Sequence, residues 1–172
     1  PDVALVNNTA AAHLERMGSL LGVAETTGAI YEALGDGGVA VVNADDAFGS
    51  WFEQQVIRAG DSGRRVLRFG LEASAEVTAR DIVATGQGSR FVLVTPQGQV
   101  EVSLALPRRH NVRNAPAAAA LSSACELPPQ RIAAGLADAQ PVPGRQAAHP
   151  LPGGAPLTDR AFHAITSPSA PD

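Results

Sequence analysis

The stretch Gly35-Asp36-Gly37-Gly38-Val39-Ala40-Val41-Val42-Asn43-Ala44-Asp45-Asp46 decides how this chain folds. A short apolar run rich in valine sits between a glycine turn and a polar segment. Such a run, bounded by turn signals, reads as a strand buried on both faces, the kind found in parallel sheets. Working outward, a helix is predicted upstream from about Gly18 to Leu34, stopping at the same turn. Before it, Val3-Ala4-Leu5-Val6 repeats the pattern and closes on Asn7-Asn8. Downstream, a helix from about Ala47 to Ala59 places Trp51, Phe52, Val56 and Ile57 at helical spacing, and Arg65-Val66-Leu67-Arg68-Phe69 reads as a third strand. Strand alternating with helix predicts an α/β, Rossmann-like fold, with a mostly parallel sheet flanked by helices. In open sheets of this kind ligands bind outside the carboxyl ends of the strands. Asn7-Asn8 and Asn43 to Asp46 fall at two such ends.

From about Ala79 to Leu106 the pattern changes. Short alternating segments are broken by Gly86-Gln87-Gly88 and Pro96-Gln97-Gly98, which are hairpin signals, so a small antiparallel β region is expected there. Asn114 to Cys125 is alanine-rich and helical, with Pro116 comfortable only in a first turn. Pro128 to Ala139 reads as a further helix with proline at its start. From Gln140 the chain turns Pro- and Gly-rich, and after Gly153 no periodicity is evident.

Composition narrows the functional classes. The 172 residues suffice for one core-forming domain and fall short of two large ones. With 45% hydrophobic, 17% charged and only 4% aromatic residues, the core must be built mainly from Ala, Val and Leu. A net charge of -4 leaves no basic footprint for nucleic acid. No apolar run approaches the roughly 20 residues of a membrane span, and the first residues lack the features of a signal peptide, so the expected setting is the cytoplasm. The single cysteine, Cys125, permits no internal disulfide and is expected as a small buried hydrophobe. All 13 basic residues are arginines, so no mechanism that needs a lysine of this chain is open to it.

Four segments, in order, carry a resemblance. They are Asn7-Asn8-Thr9-Ala10-Ala11-Ala12-His13-Leu14 with Gly18-Ser19-Leu20-Leu21-Gly22-Val23-Ala24, then Asn43-Ala44-Asp45-Asp46, His110-Asn111-Val112-Arg113-Asn114-Ala115, and Val142-Pro143-Gly144-Arg145. Together, at these separations, they resemble the central ATP-binding domain of the Mur ligases, in the branch that adds D-alanyl-D-alanine. The resemblance covers residues 1–150, as a central domain incomplete on its N-terminal side, and leaves 151–172 as a divergent Pro/Ser-rich tail. It implies an enzyme of peptidoglycan precursor synthesis. That enzyme uses ATP and Mg2+ to join D-Ala-D-Ala to UDP-N-acetylmuramoyl-tripeptide through an acyl phosphate, which the incoming amine attacks.

The residues can also be weighed by their own chemistry. At a strand end, the His13 imidazole could ligate a divalent metal or orient a phosphate, although a helix-start histidine is more often structural. The resemblance gives it a place at a magnesium site. Asn111 and Asn114 carry amides that both donate and accept, as reading an adenine edge requires, and Asn111 would serve equally as a helix cap. The resemblance points to Asn114 as the residue facing the base. Asp45 and Asp46 would cap the following helix as readily as they would contact a nucleotide. Arg145 could clamp phosphate as a planar, always-charged donor, or lie exposed in a loop.

The departures are equally specific. The phosphate-cradling Gly-Lys-Thr/Ser loop of the family is absent, and the resemblance places it upstream of the first segment. Thr27 stands where several Mur ligases carry a carbamylated lysine, Ala29 replaces a glutamate, and Arg109 replaces a glycine. The expected continuation beyond Pro150 is missing; a shifted reading frame after about Gly154 would produce that break. On this reading the chain alone is inactive. Two alternatives accompany it: a degenerate, non-catalytic nucleotide-binding or assembly module, and a ligase domain of the folylpolyglutamate synthetase kind.

Overall fold

A computed structural model describes residues 1–9, 19–58, 63–106, 109–140, 148–150 and 156–158. Its central element is the strand read first from sequence. β2 (Val39–Asn43) lies between β1 (Val3–Val6) and β3 (Arg65–Phe69), and both neighbours run parallel to it. The register pairs Val3 with Val39 and Val6 with Val42 on one side, and Val39 with Arg65 and Asn43 with Phe69 on the other. α1 (Leu20–Glu32) lies in the β1–β2 connection and α2 (Gly49–Arg58) in the β2–β3 connection. Parallel neighbours need such crossovers, and the helices bring the apolar surface that covers the sheet.

Alternation along the strands sorts the core into two clusters. Ala4, Val6, Ala40 and Val42 face one way and pack with Ala24, Tyr31, Leu34, Phe52 and Val56 of the α1–α2 layer. Val39, Val41 and Phe69 face the other way. There they meet α3 (Arg109–Ala124), α4 (Pro129–Ala137) and an antiparallel sheet of β4 (Thr78–Thr85), β5 (Gly88–Thr95) and β6 (Gly98–Leu104). In this second cluster the alanines of α3, Ala115, Ala117, Ala119 and Ala120, pack with larger side chains such as Phe69, Phe91 and Leu93.

Local signals account for most boundaries. Ser19 caps α1, its hydroxyl accepting from the Gly22 amide at 3.0 Å. The helix ends before the Gly35–Gly38 turn, where Gly37 adopts φ +71. The Arg64 guanidinium donates to the carbonyls of Tyr31, Glu32 and Leu34 at the end of the helix, where the last carbonyls lack the usual donor four residues on; that of Tyr31 also accepts from the Leu34 amide at 3.3 Å.

Two expectations are corrected. α3 begins at Arg109 rather than near Asn114, so Pro116 lies inside the helix and not in its first turn. The ring is fully buried, and its missing N–H deprives one preceding carbonyl of an intrahelical donor. Cys125 is exposed rather than buried. The buried stripe of α3 runs through Val112, Pro116, Ala119, Ala120 and Ser123, and a residue two places beyond Ser123 points the opposite way. Past Gly153, where no periodicity was evident, β8 (Pro156–Thr158) pairs antiparallel with β7 (Ala148–Pro150). Strands of three residues are too short to show a period. The chain divides into two compact units, 1–139 and 140–172.

Candidate functional site

At the carboxyl ends of the parallel strands the chain leaves the sheet in polar loops, and side chains hold those loops together. The Asn43 amide donates to the Asn7 carbonyl at 2.8 Å and its Oδ1 accepts from the Asp45 amide at 2.9 Å, tying the end of β2 to the end of β1. Asp46 accepts from the Thr9 amide at 2.6 Å through one oxygen and from the Phe48 amide at 2.8 Å through the other. Gly49 follows at the start of α2, and a Cβ there would stand 2.4 Å from the Asn43 carbonyl oxygen. Only glycine lets the helix begin this close to the strand it leaves.

Asp45 reaches the third strand. Its Oδ2 accepts from the Leu71 amide at 2.7 Å, and its Oδ1 accepts from Ala73 at 2.7 Å and Glu72 at 3.1 Å. Partial burial pushes this carboxyl up. The three amides and the Arg113 guanidinium outweigh that effect and hold it below the usual carboxylate range. Behind the strand ends, the Tyr31 hydroxyl donates to the Val41 carbonyl at 2.7 Å and accepts from the Val6 amide at 3.0 Å, bridging β1 and β2. Burial pushes this phenol from 10.0 up to about 12, against the lowering pull of the Val6 amide and with the charge of Asp46 adding to the rise.

The loops enclose an open cleft of about 340 Å³ lined by Asn7, Asn8, Asn43, Asp45, Asp46, Phe69, Gly70, Arg113 and Asn114. Asn114 and Arg113 come from α3, and the Asn7 amide lies 3.5 Å from Asn114 Oδ1. Both lining carboxylates are engaged by backbone amides, so the capacity the cleft presents comes mainly from asparagine amides and one guanidinium. That set suits a ligand with a neutral hydrogen-bonding edge and a negative group better than it suits a bare cation.

Of the residues singled out from sequence, Asp45 and Asn114 line the cleft together, while half-buried Asn111 does not line it. His13 and Arg145 lie outside the described residues. Asp45 does not cap α2; its carboxylate goes to the loop after β3. Sequence reasoning did not single out Phe69, Gly70, Arg113 or Tyr31. The strand-end rule applied to β3 as well as to β1 and β2 would have found Phe69 and Gly70. Among the described residues no group of three or more His, Cys, Asp or Glu side chains could hold a metal ion. Among the described residues no helix is long and apolar enough to cross a membrane.

Comparison with known proteins places this geometry in a family. The model of the Mur ligase middle domain matches residues 1–122. The chain is 47% identical over 146 residues to the UDP-N-acetylmuramoyl-tripeptide--D-alanyl-D-alanine ligase of Escherichia coli, covering 84% of this chain and 31% of the relative. The Haemophilus influenzae enzyme of the same name is 37% identical over 145 residues, 84% of this chain and 30% of its own length. The crystal structure of MurF from Acinetobacter baumannii superposes with a TM-score of 0.83 at 30% identity, covering 92% of this chain and 33% of that one. The chain thus spans about a third of the length of these relatives.

Proposed function

The chain belongs to the Mur ligase family, and from that premise we propose that it is the ATP-binding middle domain of a ligase joining D-Ala-D-Ala to UDP-N-acetylmuramoyl-tripeptide. The observation that carries the reading is the cleft itself. Segments distant in sequence, around Asn7, Asn43 and Asn114, meet there at the carboxyl ends of parallel strands. An adenine offers a donor beside an acceptor, and the Asn114 amide can answer both. The cleft has room for the adenosine part of a nucleotide. Asn114 reads the base edge, with Asn111 on the same helix, and Arg145 clamps phosphate. His13 takes part in holding Mg2+. The described residues do not by themselves make a magnesium site, since the carboxylates of Asp45 and Asp46 are bound to backbone amides. When bound, ATP supplies the phosphoryl group that activates a carboxylate for attack by the incoming amine. The central domain extends to about residue 150, with 151–172 as a divergent tail, and the setting is cytoplasmic.

The 172-residue chain by itself is expected to release no phosphate above background with ATP, Mg2+ and both substrates. Without a lysine, the charge that develops on a transferring phosphoryl group loses stabilisation worth several kcal/mol. ATP binding by calorimetry tests the cleft separately. A folded chain that bound no ATP would sink the nucleotide reading, and substrate-dependent phosphate release would sink the expectation of inactivity.

One observation favours a second reading, a non-catalytic nucleotide-binding module. The Thr27 hydroxyl, where the resemblance expects a carbamylated lysine, turns back into its own helix and donates to the Val23 carbonyl at 2.8 Å and the Ala24 carbonyl at 3.3 Å. Nucleotide binding indifferent to magnesium would support this reading. Ligase activity of the chain joined to the remainder of its protein would end it.

A further inference from the structure

We infer that Asp45 is a positioning residue, which acts on a ligand in the cleft by anchoring the backbone of residues 71–73 and so fixing the place of Gly70, the residue before them that lines the cleft. The identity of that ligand rests on the nucleotide reading above; the clamp does not. Three consecutive amides, of Leu71, Glu72 and Ala73, converge on the one carboxylate at 2.7 to 3.1 Å. Consecutive backbone N–H groups of this kind form an anion-binding concavity, here filled by a side chain of the same molecule. Gly70 is fitted to it. A Cβ at that position would stand 2.8 Å from Asp45 Oδ1 and 3.1 Å from its Cγ, so even a methyl group would displace the carboxylate.

Little else holds the tip of this loop. Glu72, Ala73 and Ser74 are exposed, and only Leu71 is packed against the core. The base of the loop is closed by the Gly70 amide donating to the Val77 carbonyl at 3.1 Å and by Arg68 donating to Glu76. Beyond Asp45 and that packing, residues 71–74 themselves gain from outside only the ion pair between Glu72 and Arg113 at 3.8 Å among the contacts of the described residues, with side chains 68% and 63% exposed, a kind of contact that contributes little. A carboxylate accepting three charge-assisted bonds is the stronger hold. The same engagement makes Asp45 a poor direct contact for a ligand, because both of its oxygens already serve the loop. Asp45 therefore shapes the Gly70 part of the cleft without itself binding the ligand.

The test is amide hydrogen exchange of the full 172-residue chain, followed residue by residue, with ATP titrated into the same samples. Asp45→Asn keeps one acceptor oxygen but turns an NH2 group toward the amides. Exchange of at least one of the Leu71, Glu72 and Ala73 amides is expected to rise about tenfold or more. ATP affinity should fall about tenfold with it. Gly70→Ala, which displaces the carboxylate from the other side, should reproduce both changes, and combining the two substitutions should add little to either alone. Unchanged exchange at all three amides in Asp45→Asn overturns the inference. So does a loss of ATP affinity while those amides stay protected, because Asp45 would then be touching the nucleotide. An unaltered chain that bound no ATP would remove the nucleotide reading alone, and the exchange result would still judge the clamp.

Discussion

At the amino ends of the three parallel strands, backbone meets backbone. The Val39 amide donates to the Asp2 carbonyl at 2.8 Å, Gly35 to Pro1 at 3.2 Å, and Arg65 to Gly38 at 2.9 Å. Arg64 adds a side chain there, across the end of α1. At the carboxyl ends of the same strands the loops diverge, and Asn43, Asp45 and Asp46 bridge the gaps with side-chain bonds to residues 7, 9, 45, 48 and 71–73. Backbone that closes on itself leaves nothing over for a ligand. Loops held apart by side chains enclose a space and present the polar groups that remain. The same difference should separate the two ends in experiment: damage to the packing of the strands lowers stability, while damage to the cleft lowers binding.

The largest expected effect lies where that separation fails. Gly49 belongs to both the fold and the site, because α2 starts against the Asn43 carbonyl. The methyl of Gly49→Ala would have to push backbone rather than a flexible side chain. A loss of about 3 kcal/mol is expected in urea denaturation, with ATP affinity lost in parallel as Asn43 and Asp45 move. A variant of unchanged stability would show that the start of α2 yields easily and that the two functions are not joined there.

Tyr31 comes next, and it sharpens the comparison through pH. Its folded phenol is raised to about 12, so the folded state holds the proton more tightly than the unfolded one. The contribution is fully present below pH 10 and is lost as pH rises through 12, amounting to about 2–3 kcal/mol. The window is clean because the chain has one tyrosine and no lysine, and arginine stays charged throughout. Tyrosinate absorbance should appear together with unfolding. Tyr31→Phe is expected to be about 1–3 kcal/mol less stable at neutral pH, since the Val6 amide and Val41 carbonyl lose their partner, and to show a flat profile between pH 10 and 12. Tyrosinate appearing near pH 10 with the fold intact would mean that the phenol is not held in the core.

How much of this was legible depended on whether a partner leaves a mark in the sequence. β1 and β3 were read with their observed ends, because an apolar run between turn residues carries its own boundaries. The start of α3 was read about five residues late, since Arg109-His110-Asn111 shows no apolar period and the alanine run after it has none to extend. The sequence alone places Asn43 and Asp45 at a strand end, and Asn7 likewise. It does not show the task of Asp45, because its partners are the amides of residues 71–73, and a backbone amide has no residue type. Tyr31 was missed for a related reason. Nothing in a helix predicts that its hydroxyl will meet strands 10 and 25 residues away.

The smallest expected change in stability belongs to Asn114, and it is the sharpest test of the comparison. Its side chain is exposed on α3, and its hydrogen bond with Asn7 lies at the 3.5 Å limit of such a bond, so the fold gains little from it. Alanine is the better helix former by about 0.5 kcal/mol, and Asn114→Ala should therefore unfold at an unchanged or slightly higher urea concentration. If the cleft reads an adenine edge through this amide, ATP affinity should fall about tenfold in the same protein, the cost of leaving a base edge without its partner. Binding would then be lost where stability is not, the reverse of what is expected at Tyr31. Affinity that survived Asn114→Ala would move the base away from α3 and leave the cleft with a different ligand to explain.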